Sequence, residues 1–502
     1  MFAGGLRSTA VAVALTFLTV TATQACTTAP GGPPARNSTS APNAPPSAIR
    51  PRAGPVANIS GGCAGSSAEV EEAAARPGYV YAEWIGCGGI GFARSADSGR
   101  HFGPAMTVPG STGASWDPAI TVAADGTVYA AFMHAGGTSG RSMYPVVAVS
   151  RNHGATFSQV NNDFPPAPGN WGDRVFIAAG PRNQLFLTWD YGPSAAQVKT
   201  LCARGGSCSF TKGDFNAVIQ ASGNGGATWG PITHLQPGFP RGGGYGAPLV
   251  AGPDGRVDVL CVAHPADPVT GTVQPGYEYF TSSADGTHWP AAAQPLWPGQ
   301  GPLALPAWWI DGDISADAAG NLYATWDTQT SAGDTGWLTY SRDGGRTWSA
   351  PLRVTPDRDQ APHIIESAGG APGIAYIAWQ TSGTGPGYAT YLRPFSIRRG
   401  WLGPAVKVSG AYGNVRTWPG DTFGIARLPD GRISMTWGSA LGTSGASAIY
   451  ASVVTIRALP ADVRVRDRDE LTRRPDTPPR AIRVRGRTGS AWAGAPWGCL
   501  RK

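Results

Sequence analysis

One octapeptide constrains this chain more than any other stretch. Ser341-Arg342-Asp343-Gly344-Gly345-Arg346-Thr347-Trp348 places an Asp-Gly-Gly run between two apolar segments, the pattern of a tight turn joining antiparallel strands. Asp343 can accept turn N–H groups, Gly345 can take φ > 0, and Trp348 can bury a ring beside the turn. The unit recurs as SADSGRHF (95–102), SRNHGATF (150–157), SGNGGATW (222–229) and SADGTHW (283–289), with Asp97, Asn152, Asn224 and Asp285 in the place of Asp343. A sixth copy, PFSIRRGW (394–401), keeps the Gly-aromatic ending without the Ser and the Asp. The closing aromatics are spaced 55, 72, 60, 59 and 53 residues apart, so the chain is a repeat protein.

A second unit recurs seven times, a Gly or Asn followed by an alternating apolar strand: GYVYAEW (78–84), GTVYAAF (126–132), NQLFLTW (183–189), GRVDVLCV (255–262), GNLYATW (320–326), GIAYIAW (373–379) and GRISMTW (431–437). With a strand before it and two after it, each copy defines a four-stranded blade. The expected fold is all-β, a single seven-bladed β-propeller over residues 56–457, with a six-bladed ring as the alternative. The last repeat stops near Ile456, before a fourth strand, and an open blade would expose a sheet edge. Pro55 to Ser60, just ahead of the first blade, is the segment expected to fill it.

The octapeptides resemble the Asp-box, or BNR repeat, S-x-D-x-G-x-x-W, found in sialidases and other secreted β-propellers, and the likeness spans roughly residues 65–456. It implies that Asp97, Asn152, Asn224, Asp285 and Asp343 are folding staples on the face opposite any active site. Sialidases hold a substrate carboxylate with three Arg, the first in an Arg-Ile-Pro motif, and use a Tyr activated by a Glu together with an acid/base Asp. No Arg-Ile-Pro occurs here.

Residues 1–26 read as an export signal: Arg7, an apolar run through Val20, then small residues before Cys26. The run is too short for a membrane span. Thr23-Gln24-Ala25-Cys26 resembles a bacterial lipobox, so Cys26 is expected to carry a lipid anchor on an exported, outward-facing protein; ordinary secretion after cleavage at Ala25 is the alternative. Residues 27–55 are rich in Pro, Ser, Thr, Ala and Gly, the composition of a tether. Two disulfides are expected, Cys63–Cys87 and Cys202–Cys208, while Cys261 sits in an apolar strand. No spacing suggests a zinc site; the Asp residues at the strand entries offer several oxygen ligands to a hard cation, but no compact loop motif supports one, so no metal or cofactor is expected, and a monomer is expected.

The net charge of +7 is located in the tail: residues 457–502, assigned as a separate Arg-rich segment from 458, hold twelve Arg or Lys against five Asp or Glu. The body is neutral, which argues against nucleic acid as a partner.

If the octapeptides lie on one face, the other collects the connections into each innermost strand and those after each second strand. These carry Trp116-Asp117, Trp171 with Asp173-Arg174, Asp190-Tyr191, Arg241 with Tyr245, Trp309 with Asp311 and Asp313, Asp327, and Arg416 with Trp418 and Asp421. One reading is structural: each Asp accepts backbone N–H groups around the channel and each Trp wedges between blades. The other is a carbohydrate site, where rings stack on apolar sugar faces and carboxylates take hydroxyl hydrogens. Binding of a glycan or other extracellular ligand is the expected function. The alternative is glycoside hydrolysis, either sialidase-like, with Arg174, Arg241 and Arg416 around Tyr191 or Tyr245, or by two of the carboxylates.

Overall fold

The computed structural model describes residues 51–136, 142–161, 170–192, 199–202, 208–212, 214–235, 242–265, 277–291, 293–296, 312–330, 333–381, 388–409, 420–439 and 447–456. These form a β-propeller of seven antiparallel blades. The second strand of each blade is one of the seven apolar repeats: Tyr79–Gly86, Val128–Gly136, Leu185–Gly192, Val257–Pro265, Leu322–Thr330, Ile374–Thr381 and Ile433–Ser439. In six of the seven repeats the closing aromatic is a wedge between blades. Trp84, Trp189, Trp326, Trp379, Trp437 and Phe132 are all among the largest fully buried side chains. Truncating any of them to Ala is expected to cost about 3–5 kcal/mol.

The ring closes in blade 7 with strand from the chain's beginning. Arg52–Ala53 pairs with Thr455 and Val454, and Ala57–Asn58 with Ala451 and Tyr450. The segment Pro55 to Ser60 therefore does fill this edge, and the pairing reaches back to Arg52. Cys63 and Cys87 are disulfide-bonded, tying the chain after this strand to the second strand of blade 1. Blades 3 and 4 are also stitched together directly, because Asp214–Phe215 runs parallel to Gly242–Gly243.

The octapeptide turns follow one hydrogen-bonding scheme. The Ser341 hydroxyl donates to Asp343 at 2.8 Å and accepts the Gly345 N–H at 2.8 Å, while Asp343 accepts the Thr347 N–H at 2.9 Å. Asn152 and Asn224 do the same work with their amide oxygens, each accepting the N–H of the Thr four residues on at 2.9 Å. Gly345 has φ 81° and lies so close to Phe280 of blade 4 that a Cβ would overlap the ring. Trp348 packs edge-on to the same ring at 5.2 Å. The turn is thus a contact between blades as well as a bend. Arginines add further ties: Arg94 of blade 1 donates to the His153 carbonyl of blade 2 at 2.8 Å, and Arg393 of blade 6 to the Val354 carbonyl of blade 5 at 2.7 Å.

The sixth copy needs one correction. Its Ser is present, but two residues later than the aromatic spacing implies. Ser396 pairs with Ile374, the register position that Ser341 holds against Leu322. Its hydroxyl accepts the N–H of Arg398 at 3.3 Å and of Arg399 at 3.4 Å. The turn has been shortened, and only the Asp is missing.

Candidate functional site at the channel mouth

Register fixes which residues share a face. In blade 3, Leu185 at the start of the second strand pairs with the turn residue Ser222, and Asp190 near its end pairs with Asp173. Five residues of strand separate the two levels by about 16 Å. The starts of the innermost strands therefore lie at the end of the channel opposite the octapeptide turns.

At that end a β-bulge recurs. The innermost strands of blades 1, 2 and 3 slip register between Ala68 and Val70, Trp116 and Ala119, and Asp173 and Phe176. The extra residue in each is left-handed: Glu69 at φ 53°, Asp117 at 47° and Arg174 at 47°. Gly246 at the start of blade 4 has φ 56°. A left-handed non-glycine residue costs about 1–2 kcal/mol, so three charged ones in succession are a strained arrangement held by what surrounds it. A bulge re-aims the side chain it carries, and here the three side chains converge.

Carboxylate oxygens of Glu69, Asp117 and Asp421 lie within 4.8 Å of one another. Among the described residues these three are the acidic group close enough to share one hard cation through oxygen ligands. Arg174 projects from blade 3 to 3.7 Å from Asp421 of blade 7. Its own backbone N–H donates to Asp117 at 2.6 Å, and the indole of Trp116 donates to Asp173 at 2.8 Å. At the junction of blades 7 and 1, Gly420 presses on the Glu69 backbone, where no Cβ would fit.

Burial raises the carboxyl groups here, and neighbouring carboxylates raise several of them further. Glu69 is raised by burial and then by Asp421 and Asp117, and Asp117 by burial and then by Asp173. Glu71 is raised by burial and then by Asp313. Asp190, behind the cluster, is raised by burial and by Asp173. Glu69, Glu71, Asp117, Asp173 and Asp190 all feel the opposing charge of the same guanidinium, Arg174. The mouth is a set of carboxyl groups organised around one cation.

Of the residues singled out from sequence, Asp117, Asp173, Arg174 and Asp421 meet here. Asp190 is fully buried and accepts the Gly246 N–H at 3.1 Å. Asp313 accepts the N–H of Ser367 at 2.7 Å and its hydroxyl at 2.8 Å, so both aspartates bridge neighbouring blades. Asp327 is buried, and Tyr191 packs beside the core between blades 2 and 3. Trp171 is only 8% exposed and sits in a core with Leu260 and Val262, leaving little ring face for a ligand; Trp116 is half-buried at the mouth. Arg241, Trp309, Asp311, Arg416 and Trp418 lie outside the described residues, as do the side chains of Tyr245, Cys202 and Cys208. The backbones of Cys202 and Cys208 face each other in a short hairpin. Glu69 is the site residue that sequence reasoning missed. Its signal was its place at the start of an innermost strand, level with Asp117.

No known family profile matches the chain, and no curated protein resembles it in sequence. Solved structures do resemble it in fold. An ulvan lyase, a polysaccharide lyase bound to -[GlcA(1-4)Rha3S]-, matches at TM-score 0.51 and 13% identity, over 80% of this chain and 97% of its own. A Dyadobacter fermentans protein of unknown function matches at 0.49 and 13%, over 82% and 100%. The NanB sialidase of Streptococcus pneumoniae matches at 0.43 and 11%, over 68% of each chain. At these identities the likeness is one of fold.

Proposed function

We propose that the protein is an exported Asp-box propeller, anchored through a lipid on Cys26, whose channel mouth binds an uncharged glycan on the face opposite the octapeptide turns. The single observation that carries the ligand class is the composition of the mouth: Glu69, Asp117, Asp173 and Asp421 around Arg174. Carboxyl groups exchange hydrogen bonds with sugar hydroxyls in either protonation state, and Arg174, the one cation among the described residues of the mouth, already faces Asp421 and leaves an anionic sugar little to pair with. The ulvan lyase brings a glycan forward as the ligand, and the acidic mouth turns the choice from its charged sugar to a neutral one. Among the described residues a substrate carboxylate would meet one guanidinium, Arg174, which already faces Asp421; Arg241 and Arg416, the other arginines a sialidase-like role would use, lie outside them.

One observation supports hydrolysis as a second reading. Asp117 is pushed up by burial and by adjacent Asp173, the environment that keeps one carboxyl protonated beside another that can ionise. The test is a glycan array and a panel of chromogenic glycosides with wild type, Asp117→Asn and Asp173→Asn. Binding to neutral glycans that weakens at least about tenfold in Asp117→Asn, with melting temperature preserved, supports the proposal. Recognition confined to sialylated or uronate glycans would sink it. Glycoside cleavage that Asp117→Asn abolishes would establish the hydrolase.

A further inference from the structure

The octapeptide face differs in charge from the channel mouth. Arg100, Arg151, Arg182, Arg342, Arg398 and Arg427 come from six different blades. Five lie in a turn at the end of a third strand or between the first two, Arg427 is the last residue of blade 7's innermost strand beside such a turn, and all six are exposed. Of the carboxylates in the same turns, Asp125, Asp254 and Asp430 are exposed, while three others are tied to their own turn. Asp97, Asp285 and Asp343 each accept N–H groups of their own turn, at 2.9, 2.9 and 2.9 Å in the bonds from His101, His288 and Thr347. Guanidiniums on long stems thus reach farther into solvent than these three tied acids.

Both ends of the described chain reach this face. Arg52 pairs with Thr455, the last residue of blade 7's third strand, which is the level of the octapeptide turns in the other blades. The segment from Thr27 to Pro51 therefore joins the ring here, and the tail that begins after Ile456, with its net charge of +7, departs here. Twenty-five residues span at most roughly 90 Å, the longest tether between Cys26 and this face.

We propose that the octapeptide face is a docking surface for a bilayer containing anionic lipid, leaving the acidic channel mouth pointing away from the membrane. The arginines are distributed around a ring of turns and are not gathered in a groove, which fits a planar array of headgroups better than a single polyanion chain. The docking rests on the arginines and not on the reading of Cys26 as a lipid anchor, and the test separates the two by using chain 27–502, which retains every described residue and has no lipid.

Partition is measured on vesicles of phosphatidylcholine alone and with about one third phosphatidylglycerol, where anionic headgroups supply the attraction. The expected result is at least about tenfold stronger partition on the anionic vesicles, largely lost between about 0.05 and 0.5 M salt as charges are screened. The triple variant Arg182→Glu/Arg342→Glu/Arg427→Glu should abolish that preference. Arg358→Glu, an exposed residue in the connection at the opposite end of the channel, should not. If the triple variant fails to fold, the three single variants are measured instead, each expected to weaken partition about threefold. Equal partition on both vesicles overturns the proposal. So does full retention in the triple variant with loss on deleting 457–502, which would assign the attraction to the tail alone. Equally tight binding of soluble polyphosphate would make the partner a free polyanion and would also overturn it.

Discussion

Arg174 of blade 3 reaches across the channel mouth to 3.7 Å from Asp421 of blade 7, joining blades that are not neighbours in the ring. The pair is almost fully buried, and the surrounding carboxyls depend on the same guanidinium. Removing one partner of a buried pair leaves an uncompensated charge. Arg174→Met is expected to destabilise by about 3–5 kcal/mol at neutral pH. The loss should shrink toward pH 5: without the cation the folded carboxyls rise further, the native state binds more protons, and stability falls as pH rises. Urea denaturation at pH 5 and pH 8 checks this, and an equal loss at both would remove Arg174 from its organising role.

Glu72 offers a second pH-dependent test. Burial against blade 7 raises it to about 8 from 4.5, with the Ser434 and Thr436 hydroxyls pulling the other way. Its folded value lies above its unfolded one, so its contribution is full below about pH 4.5 and is lost as pH rises through about 8. Glu72→Gln should flatten that dependence and leave the protein more stable than wild type at pH 8, by an amount of the order of 4 kcal/mol. Thermal melts across pH 4–9 would show it.

The turns predict a difference between two substitutions at one position. Asp343→Ala removes the acceptor for Thr347 and should cost about 1–3 kcal/mol. Asp343→Asn should cost less than about 0.5 kcal/mol, because Asn152 and Asn224 already serve two blades and their amide N–H groups donate to Thr156 and Thr228. Any ligand binding at the mouth, about 16 Å away along the strands, should survive both changes. Loss of binding in folded Asp343→Ala would mean the turns do more than hold blades together.

Asp285 tests the acid limb. The N–H groups of His288 and Thr287 hold its carboxyl well below the usual range. Its folded value is depressed, so the contribution is present above the unfolded pKa and disappears as pH falls through the folded one. Asp285→Asn should therefore reduce the steepness of acid unfolding below about pH 4 while changing little at pH 7. An unchanged acid limb would indicate that the turn N–H groups do not favour the charged form.

The repeats were legible because turn chemistry and strand alternation are local, and each blade restates them. The seven second strands and a closing segment at Pro55 to Ser60 followed from that repetition; the further pairing at Arg52–Ala53 did not. Residues that departed from it were harder to read. Ser396 was hidden by a turn two residues short, so counting back from Trp401 missed it. Glu69 was hidden because its role depends on a bulge, and a bulge is set by the backbone it is squeezed into, not by a residue type. Trp171 looked like a ligand platform beside Asp173, yet the packing of blades 3, 4 and 5 claims its ring. The Arg174–Asp421 pair spans 247 residues of sequence and four blades of connectivity, a relation only ring closure creates.

The closing strand has a consequence for how the protein is made. The Ile449 N–H donates to the Ser60 hydroxyl at 2.9 Å across 389 residues, so the earliest strand to be synthesised waits for nearly the last. Blades 1 to 6 can assemble as they emerge, but blade 7 has no outermost strand until both ends are in the same place. A chain released before Ala448 is therefore not a smaller propeller; it is an arc whose end blades each leave an apolar sheet face without its neighbour. Ring closure is a single late event, and a stop codon in the last tenth of the folded region should be as damaging as one in the middle.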